Sequence, residues 1–230
     1  MANDASLIMM ENIPFLLKET ELLRLLHLDD SFAFLDDILR LAREAEALAR
    51  PKGFYVLSAV EHTGDDTVTL NDIIFTSRVL RVNLDGVYRA FPFLATCGGE
   101  LELWTRSLDD PMQSFCGDAL KEMALRQAIE ALGAHLMGTY DTGELAMMNP
   151  GSLSDWPITE QKPLFSLFGD AAEAIGVTLS ESCLMSPIKS VSGVWFPTQK
   201  GFVNCRLCRR ENCPNRRTPY DSHLFESHYQ

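Results

Sequence analysis

Three cysteines in the last part of the chain have the spacing of a metal site. Cys205 and Cys208 are separated by two residues, Cys213 follows after four more, and Pro214 comes directly after it. Thiolates spaced in this way on tight turns can share one metal, but a four-coordinate site needs one more ligand. The candidates for that ligand are His223, His228, Cys97 and Cys183. The motif predicts an iron–sulfur cluster, otherwise a zinc ion; a reducible thiol cluster and a solvated tail without metal are the remaining alternatives.

The segment around these cysteines has a charge opposite to that of the rest of the chain. Residues 200–230 contain 6 Lys and Arg against 3 Asp and Glu, whereas residues 1–199 contain 14 against 29. The net charge of −12 argues against general binding of nucleic acid or anionic membranes. The arginines of the tail can offset thiolate or cluster charge and can attract an acidic partner. We therefore expect a body of residues 1–199, whose first 50 residues are helical, and a metal-binding tail of residues 200–230.

A second candidate site lies in residues 176–196, which begin at a predicted helix end, Gly176, and contain two β-like runs. In the second run, residues 190–196, small residues lie next to large aromatic ones and Gly193 is in mid-strand. A glycine inside a strand is typical of a bulge, or of a place where a ligand approaches the backbone closely. The simplest interpretation is a core strand with a bulge.

Apolar periodicity and turn residues predict the elements that must position these two sites. Apolar residues recur at three and four over residues 31–50, with a cap at Asp30-Ser31, which predicts an amphipathic helix. Asp110-Pro111 has the form of a helix N-cap and first turn, and a long helix to about Met137 should follow. One or two short helices are expected in residues 6–28, and strands in residues 53–62, 67–70 and 87–96. Strands and helices mixed without regular alternation favour an α+β fold.

Composition limits the class of protein further. The chain is 46% hydrophobic and 23% charged, which permits a packed core and argues against wholesale disorder. No apolar run approaches the roughly 18 residues that a membrane span needs. The first residues have no basic start and no clear cleavage site, so we expect a cytoplasmic protein without a signal peptide.

Short motifs follow one another in a fixed order between residues 147 and 197. They are Pro150-Gly151, Trp156-Pro157, Gly176-Val177-Thr178-Leu179-Ser180-Glu181-Ser182, Met185, Pro187 and Ser190-Val191-Ser192-Gly193-Val194-Trp195-Phe196. In order and spacing they resemble the activation (reactivation) domain of cobalamin-dependent methionine synthase. In that family a Pro-Gly loop leads into a helix, and Gly-x-x-Leu-Thr-Glu-Ser precedes Met-x-Pro and Ser-Val-Ser-Gly with two aromatic residues. Upstream the match is weaker, and Thr96-Cys97-Gly98 with Glu100 resembles standalone members of the superfamily.

The resemblance implies a twisted antiparallel sheet flanked by helices, followed here by the irregular Cys-rich tail. It implies a domain that binds S-adenosylmethionine and docks over a corrinoid (vitamin B12), where inactive cob(II)alamin is reduced and then trapped by methyl transfer. The residues it assigns to the cofactor site are Pro150, Gly151, Asp155, Trp156, Pro157, Ser192, Gly193 and Trp195. Two positions depart from the family: Met147 replaces an arginine that binds a carboxylate, and Ser152 replaces a tyrosine.

Three functions are consistent with these observations. Because the chain has no Asp-x-His-x-x-Gly run to supply a cobalt-ligating histidine, a corrinoid would be carried by a partner. The first function is an accessory protein that reactivates this corrinoid protein or its methyltransferase, with a tail cluster relaying an electron from a donor protein. The second is a non-redox corrinoid or S-adenosylmethionine sensor with a structural zinc. The third, a small-molecule enzyme, ranks last because no nucleophile–base or paired-carboxylate constellation stands out.

Overall fold

An antiparallel sheet of eight strands forms the centre of the computed structural model, which describes residues 7–29, 31–199, 201–213 and 216–229. A separate small hairpin is made by β8 and β9. In chain order the strands are β1 (Leu7–Met10), β2 (Lys52–Val56), β3 (Ser58–His62), β4 (Thr67–Leu70), β5 (Ile73–Thr76), β6 (Arg89–Thr96), β7 (Leu145–Met148), β8 (Thr178–Leu179), β9 (Met185–Ser186) and β10 (Ser190–Pro197). The α-helices are α1 (Glu19–Leu26), α2 (Leu35–Leu48), α3 (Arg78–Asn83), α4 (Gly99–Arg106), α5 (Pro111–Thr139), α6 (Gln161–Phe168), α7 (Ala171–Ala174) and α8 (Leu224–His228).

Strand β6 is the centre of the sheet. One of its edges pairs with β10, which in turn pairs with β7. Its other edge pairs first with β3 and then with β2, and β1 extends the sheet beyond β2, while β4 and β5 extend it beyond β3. Strand β6 continues through Pro92. Pro92 lies opposite the gap between β2 and β3, where neither strand pairs with β6, so its missing N–H costs no ladder bond on that edge.

The sheet separates the apolar core into two parts. Because side chains alternate along a strand, Phe93 and Trp195 point to one face while Leu94 and Val194 point to the other. The first face packs against α1, α2, α4 and α5. The second packs against α3, α6 and α7. Residues that are neighbours in β10 therefore belong to different environments, which decides what each of them can contact.

The two long helices confirm the sequence predictions. Helix α2 buries Ile38, Leu41, Ala42 and Ala45, the apolar positions that recur at three and four. The helix begins at Leu35. Its cap was predicted at Asp30-Ser31, and Asp30 lies outside the described residues. Helix α5 has the predicted cap, in which the Asp110 side chain accepts a hydrogen bond from the Gln113 N–H at 2.9 Å.

Two predictions near the chain's beginning were wrong in part. Residues 6–28, predicted as one or two short helices, contain α1 but also the edge strand β1, which pairs with β2. The apolar run Leu7–Met10 is too short to distinguish a strand from a helix by its period, and only pairing with residues 53–56 decides it. The single strand predicted over residues 53–62 is two strands, β2 and β3, which are separated at Leu57. Each pairs with a different part of β6.

The tail is irregular, as predicted, but it is not detached from the body. It contains one 3₁₀ turn, Asn204–Arg206, and the short helix α8. Phe202, Leu207 and Leu224 pack against the core on the Val194 face of the sheet, and Tyr229 is buried there. Division of the chain at residue 199 therefore stays a prediction. In the part of the chain that the structure describes, no helix combines the length and apolarity needed to cross a membrane.

Candidate functional site

The strand β10 presents Gly193 and Trp195 on the face that carries α5. Gly193 pairs with Phe93 of β6, and Trp195 pairs with Met147 of β7. Met147 and Val191 are half-buried on this face, whereas Trp195 is buried. We call these four side-by-side positions, Val191, Gly193, Trp195 and Met147, the apolar wall. The predicted neighbours Gly193 and Trp195 are thus brought together, with Met147 in the place where the resemblance expects a cation.

Gly193 is required by a close approach and not by a bulge. The pairing of β10 with β6 is continuous from Ser190 to Trp195, so the predicted bulge was wrong. A Cβ atom at Gly193 would lie 2.5 Å from Asn149 Nδ2 and would also collide with the Met148 carbonyl. The Asn149 amide crosses the glycine to donate a hydrogen bond to the Ser192 carbonyl at 2.8 Å. The side chain that approaches Gly193 closely is therefore that of Asn149, from the same chain. The sequence interpretation missed this contact.

The Pro150-Gly151 loop begins directly after β7 and so lies beside Gly193. Gly151 has a φ of +83°, which favours glycine, and its N–H donates to the Trp156 carbonyl at 2.8 Å. The Ser152 hydroxyl donates to the Asn149 carbonyl at 2.6 Å. These bonds close residues 149–157 into a compact loop. Gly151 is exposed, whereas Pro150 is buried.

Two other predicted site residues, Asp155 and Trp156, have roles inside the fold. The Asp155 carboxylate accepts hydrogen bonds from the Ser77 hydroxyl and from the Val79 N–H, the latter at 2.9 Å, and so anchors the loop to the first turn of α3. Trp156 is fully buried on the Val194 face and packs edge-to-face on Phe75, with ring centroids 6.2 Å apart. Its indole Nε1 has no hydrogen-bond partner among the described residues.

The remaining predicted positions divide between surface and core. Pro157 is exposed at the end of the loop. Ser192 is buried and pairs with Leu94, so its side chain lies on the face opposite the apolar wall. Of the eight predicted cofactor-site residues, the structure thus brings Gly193 and Trp195 together beside the exposed Gly151. It places Trp156 and Ser192 on the other side of the sheet, and their role in binding stays a prediction.

A tyrosine that is hydrogen-bonded to a histidine lies in the same cross-strand row as Gly193. Tyr55 of β2 is opposite Phe93, and its hydroxyl is 2.9 Å from Nδ1 of the exposed His135 on α5. Burial raises the pKa of Tyr55, and a hydrogen bond from Thr139 acts in the opposite direction. The pair joins residues that are 80 positions apart, so sequence pattern gave no signal for it.

The cysteine segment is organised by an arginine. The Arg216 guanidinium donates to the carbonyls of Cys205 and Cys208, both at 3.1 Å, and to that of Thr218 at 3.2 Å. The Cys205 sulfur accepts a hydrogen bond from the Arg217 N–H at 3.4 Å. Burial acts to raise the pKa of Cys205, but the N–H bonds from Arg217 and Thr218 and the charge of Arg217 together lower it.

The predicted metal site is not formed in this arrangement. Over residues 7–29, 31–199, 201–213 and 216–229, no three His, Cys, Asp or Glu side chains converge in a way that could hold a metal ion. Cys97 and Cys183, two candidates for a fourth ligand, are buried in the body, while Cys205, Cys208 and Cys213 are partly exposed. Pro214, the proline of the Cys-Pro pair, lies outside the described residues.

A cleft lies at the other end of β10. It has a volume of about 1020 Å³ and lies between the ends of β6 and β10, the loop before β7, and the tail. Its charged lining residues are Asp85, Arg89, Asp141, Glu144 and Arg206. His228, a candidate fourth metal ligand, also lines it, whereas the eight predicted cofactor-site residues and the three tail cysteines do not. Five residues of β10, from Ser192 to Pro197, lie between the Pro150-Gly151 loop and the cleft, which corresponds to roughly 17 Å.

Comparison with known proteins identifies a structural neighbour. The fold is similar to that of a solved structure described as the MetH reactivation domain bound to AdoHcy, with a TM-score of 0.59 over 86% of this chain and 81% of that chain. The two sequences are 16% identical, so the likeness concerns the fold. It confirms both the α+β class with an antiparallel sheet flanked by helices and the resemblance found in the sequence motifs. No protein-family model and no curated protein matches the chain.

Proposed function

We propose that this protein binds S-adenosylmethionine and serves in the reductive reactivation of a corrinoid protein that is carried by a partner. The observation that carries the proposal is the likeness of its fold to a reactivation domain whose solved structure contains AdoHcy. The motifs that surround the apolar wall support it independently, because their order and spacing resemble the same domain.

The apolar wall and the adjoining Pro150-Gly151 loop are the proposed ligand surface. Met147 and Val191 remain partly accessible there, Trp195 provides a rigid aromatic support, and Gly151 exposes backbone next to them. Apolar and sulfur-containing side chains suit the flat face of an adenosine group. With Met147 in the arginine position, the ligand carboxylate has no charged donor from β7. A charge-assisted hydrogen bond contributes about 1.5–3 kcal/mol, so affinity should be about ten- to a hundredfold below that of a site with the cation.

Titration calorimetry with AdoHcy tests the ligand surface directly. The intact protein should bind AdoHcy, and Met147→Arg should bind it more tightly by restoring a cation for the carboxylate. Met112→Arg adds the same charge at an exposed position of α5 and should leave the affinity unchanged. Absence of heat at millimolar AdoHcy with both the wild type and Met147→Arg would rule out the ligand part of the proposal.

The proposed reaction has two steps and needs an external electron. The partner's cob(II)alamin accepts one electron and becomes cob(I)alamin. This nucleophile then takes the methyl group of S-adenosylmethionine: the cobalt–carbon bond forms, the sulfur–methyl bond breaks, and its electron pair stays on the sulfur of AdoHcy. The methyl transfer draws the unfavourable reduction forward. This protein's part is to hold the sulfonium ligand against the corrinoid.

Free cobalamin is a suitable first probe of this reaction. The protein is mixed anaerobically with S-adenosylmethionine and cobalamin, with titanium(III) citrate as the reductant, and AdoHcy is measured by chromatography. AdoHcy should form faster with the protein than without it, and only when all three components are present. An identical rate without the protein would count against a role in methyl transfer.

The cysteine tail distinguishes two candidate functions. The sequence motif favours an iron–sulfur cluster on Cys205, Cys208 and Cys213 that accepts electrons from a donor protein, but the described side chains do not converge on a metal. The second candidate function is a corrinoid or S-adenosylmethionine sensor without a redox role, in which a structural zinc would hold the tail. Metal and sulfide analysis of anaerobically purified protein separates the two. Stoichiometric iron and sulfide with a broad absorption near ~400 nm supports the relay, whereas zinc or no metal supports the sensor.

A further inference from the structure

A buried side chain of the tail, that of Asn204, contacts the Pro150-Gly151 loop. Asn204 is 9% exposed, and its Nδ2 donates a hydrogen bond to the Ser152 hydroxyl at 3.1 Å. Asn204 immediately precedes Cys205, and both belong to the 3₁₀ turn Asn204–Arg206. The first cysteine of the tail is therefore one residue from an anchor on the loop.

The hydrogen bond from Asn204 is the first of a series that reaches β10. The Ser152 hydroxyl donates to the Asn149 carbonyl at 2.6 Å, and the Asn149 amide donates to the Ser192 carbonyl at 2.8 Å. Four residues from three distant segments are thus joined by three hydrogen bonds that end beside Gly193. Bonds of this kind are strong in a poorly solvated environment, and breaking one leaves a buried polar group unpaired.

The cysteine end of this connection is held as one unit. The Leu207 N–H donates to the Asn204 carbonyl at 3.0 Å, and the Cys208 N–H donates to the Cys205 carbonyl at 3.4 Å. Arg216 fixes the same carbonyl of Cys205 together with that of Cys208. The Cys205 sulfur accepts a hydrogen bond from the Arg217 N–H at 3.4 Å, so a group attached to that sulfur competes with this contact. Movement of the turn there acts on Asn204, the residue directly before Cys205.

We propose that Asn204 is a positioning residue that couples the chemical state of Cys205 and Cys208 to the Pro150-Gly151 loop. Modification of these thiols displaces Asn204, frees the Ser152 hydroxyl, and loosens residues 149–157. The effect of this on AdoHcy affinity rests on the proposed function, whereas the coupling of tail and loop does not.

Hydrogen exchange of residues 149–157, followed by mass spectrometry, tests the coupling without any ligand. In Asn204→Ala the loop amides should exchange about three- to tenfold faster, as expected for the loss of one partly buried hydrogen bond. Ser152→Ala removes the next bond and should have a similar effect, so the test does not depend on one variant. Tyr229→Phe is the matched control, because it removes a tail hydrogen bond to Asn83 that does not touch the loop.

Alkylation of the native protein with iodoacetamide tests the thiol end. The tail cysteines should react first, since Cys97, Cys116 and Cys183 are buried. Alkylation should increase loop exchange in the wild type and add little in Asn204→Ala, where the connection is already broken. Unchanged loop exchange in both Asn204→Ala and Ser152→Ala overturns the proposal, and so does an equal increase in Tyr229→Phe.

Calorimetry with AdoHcy then separates this inference from the proposed function. If the loop responds as described but no variant binds AdoHcy, the coupling stands and the ligand assignment fails. If the wild type binds AdoHcy and both Asn204→Ala and the alkylated protein bind it with unchanged affinity, the coupling does not extend to the ligand and this part of the proposal is refuted.

Discussion

Trp195 lies flat on Phe93, with ring centroids 3.7 Å apart and an angle of 11° between the rings. The two residues are not directly opposite, because Phe93 pairs with Gly193. Diagonal neighbours on adjacent strands are within reach of aromatic side chains, and the absent side chain at position 193 leaves the ring of Phe93 free to receive the indole. The glycine and the two aromatic residues therefore form one packing unit at the centre of the sheet.

Trp195→Ala should be strongly destabilising. Truncation of a buried aromatic residue costs about 3–5 kcal/mol, and here the stack on Phe93 is lost with it. Trp195→Phe keeps a ring and should cost less than half as much. The free energy of unfolding in urea, followed by circular dichroism, measures both. Leu103→Ala, at a position that is 69% exposed, should stay within about 0.5 kcal/mol of the wild type. A Trp195→Ala variant as stable as Leu103→Ala would contradict the packing described.

Gly193→Ala should destabilise the protein although alanine is a small residue. Its Cβ would lie 2.5 Å from Asn149 Nδ2 and 3.0 Å from Phe93 Cε1, and such overpacking costs about 1–3 kcal/mol. Gly133→Ala in α5 is the control, because nothing lies within 4 Å of its Cβ position. It should stabilise the helix by about 0.5–1 kcal/mol. Urea unfolding that shows the two variants to be shifted in the same direction would refute the close approach.

Asp155→Ala should loosen the attachment of the loop to α3. The carboxylate accepts hydrogen bonds from Ser77 and Val79, and bonds to a charged group contribute about 1.5–3 kcal/mol. Because Ser77 shares this contact, the effects of Asp155→Ala and Ser77→Ala in urea unfolding should be less than additive in the double variant. Asp85→Ala removes an exposed carboxylate and should change stability by at most about 0.5 kcal/mol. Strict additivity of the first pair would show that the contact contributes nothing.

Alkaline pH should destabilise the fold through its buried thiols. Burial raises the pKa of Cys97 from 9.0 to about 12, and that of Cys116 to about 11. Between pH 9 and these values the unfolded chain loses protons that the folded chain keeps, so stability is full below pH 9 and falls as the pH rises. The slope approaches about 1.4 kcal/mol per pH unit for each thiol.

The variant Cys97→Ala isolates this effect from the titration of lysines and tyrosines. From pH 8 to pH 10 at constant ionic strength, the free energy of unfolding of the wild type should fall by about 1–2 kcal/mol more than that of Cys97→Ala. The comparison uses the change with pH, so a packing defect in the variant does not affect it. Equal losses in the two proteins would show that Cys97 is not protonated selectively in the folded state.

The parts of the fold that were predicted correctly depend on local interactions. The cap at Asp110 and the apolar stripe of α2 are set by residues three and four positions apart, so they can be read from a short window. The strand β1 was missed because its conformation depends on pairing with β2, more than 40 residues later. The motifs near Gly193 indicated the fold because they mark β10 and the Pro150-Gly151 loop, which lie side by side in the structure.

The sequence by itself determined that residues 190–196 form a strand and that Gly193 and Trp195 share a face, because strand periodicity is sufficient for this. For Gly193 it favoured a bulge over a close approach. Only the tertiary structure decided that Asn149 makes the approach, that Trp156 lies on the opposite face of the sheet, and that Asp155 holds α3. It also decided that Asn204 joins the cysteine tail to the loop. The reason is physical: alternation fixes which side chains share a face, but the residues that cover that face come from segments whose position is set by pairing and packing across the whole chain.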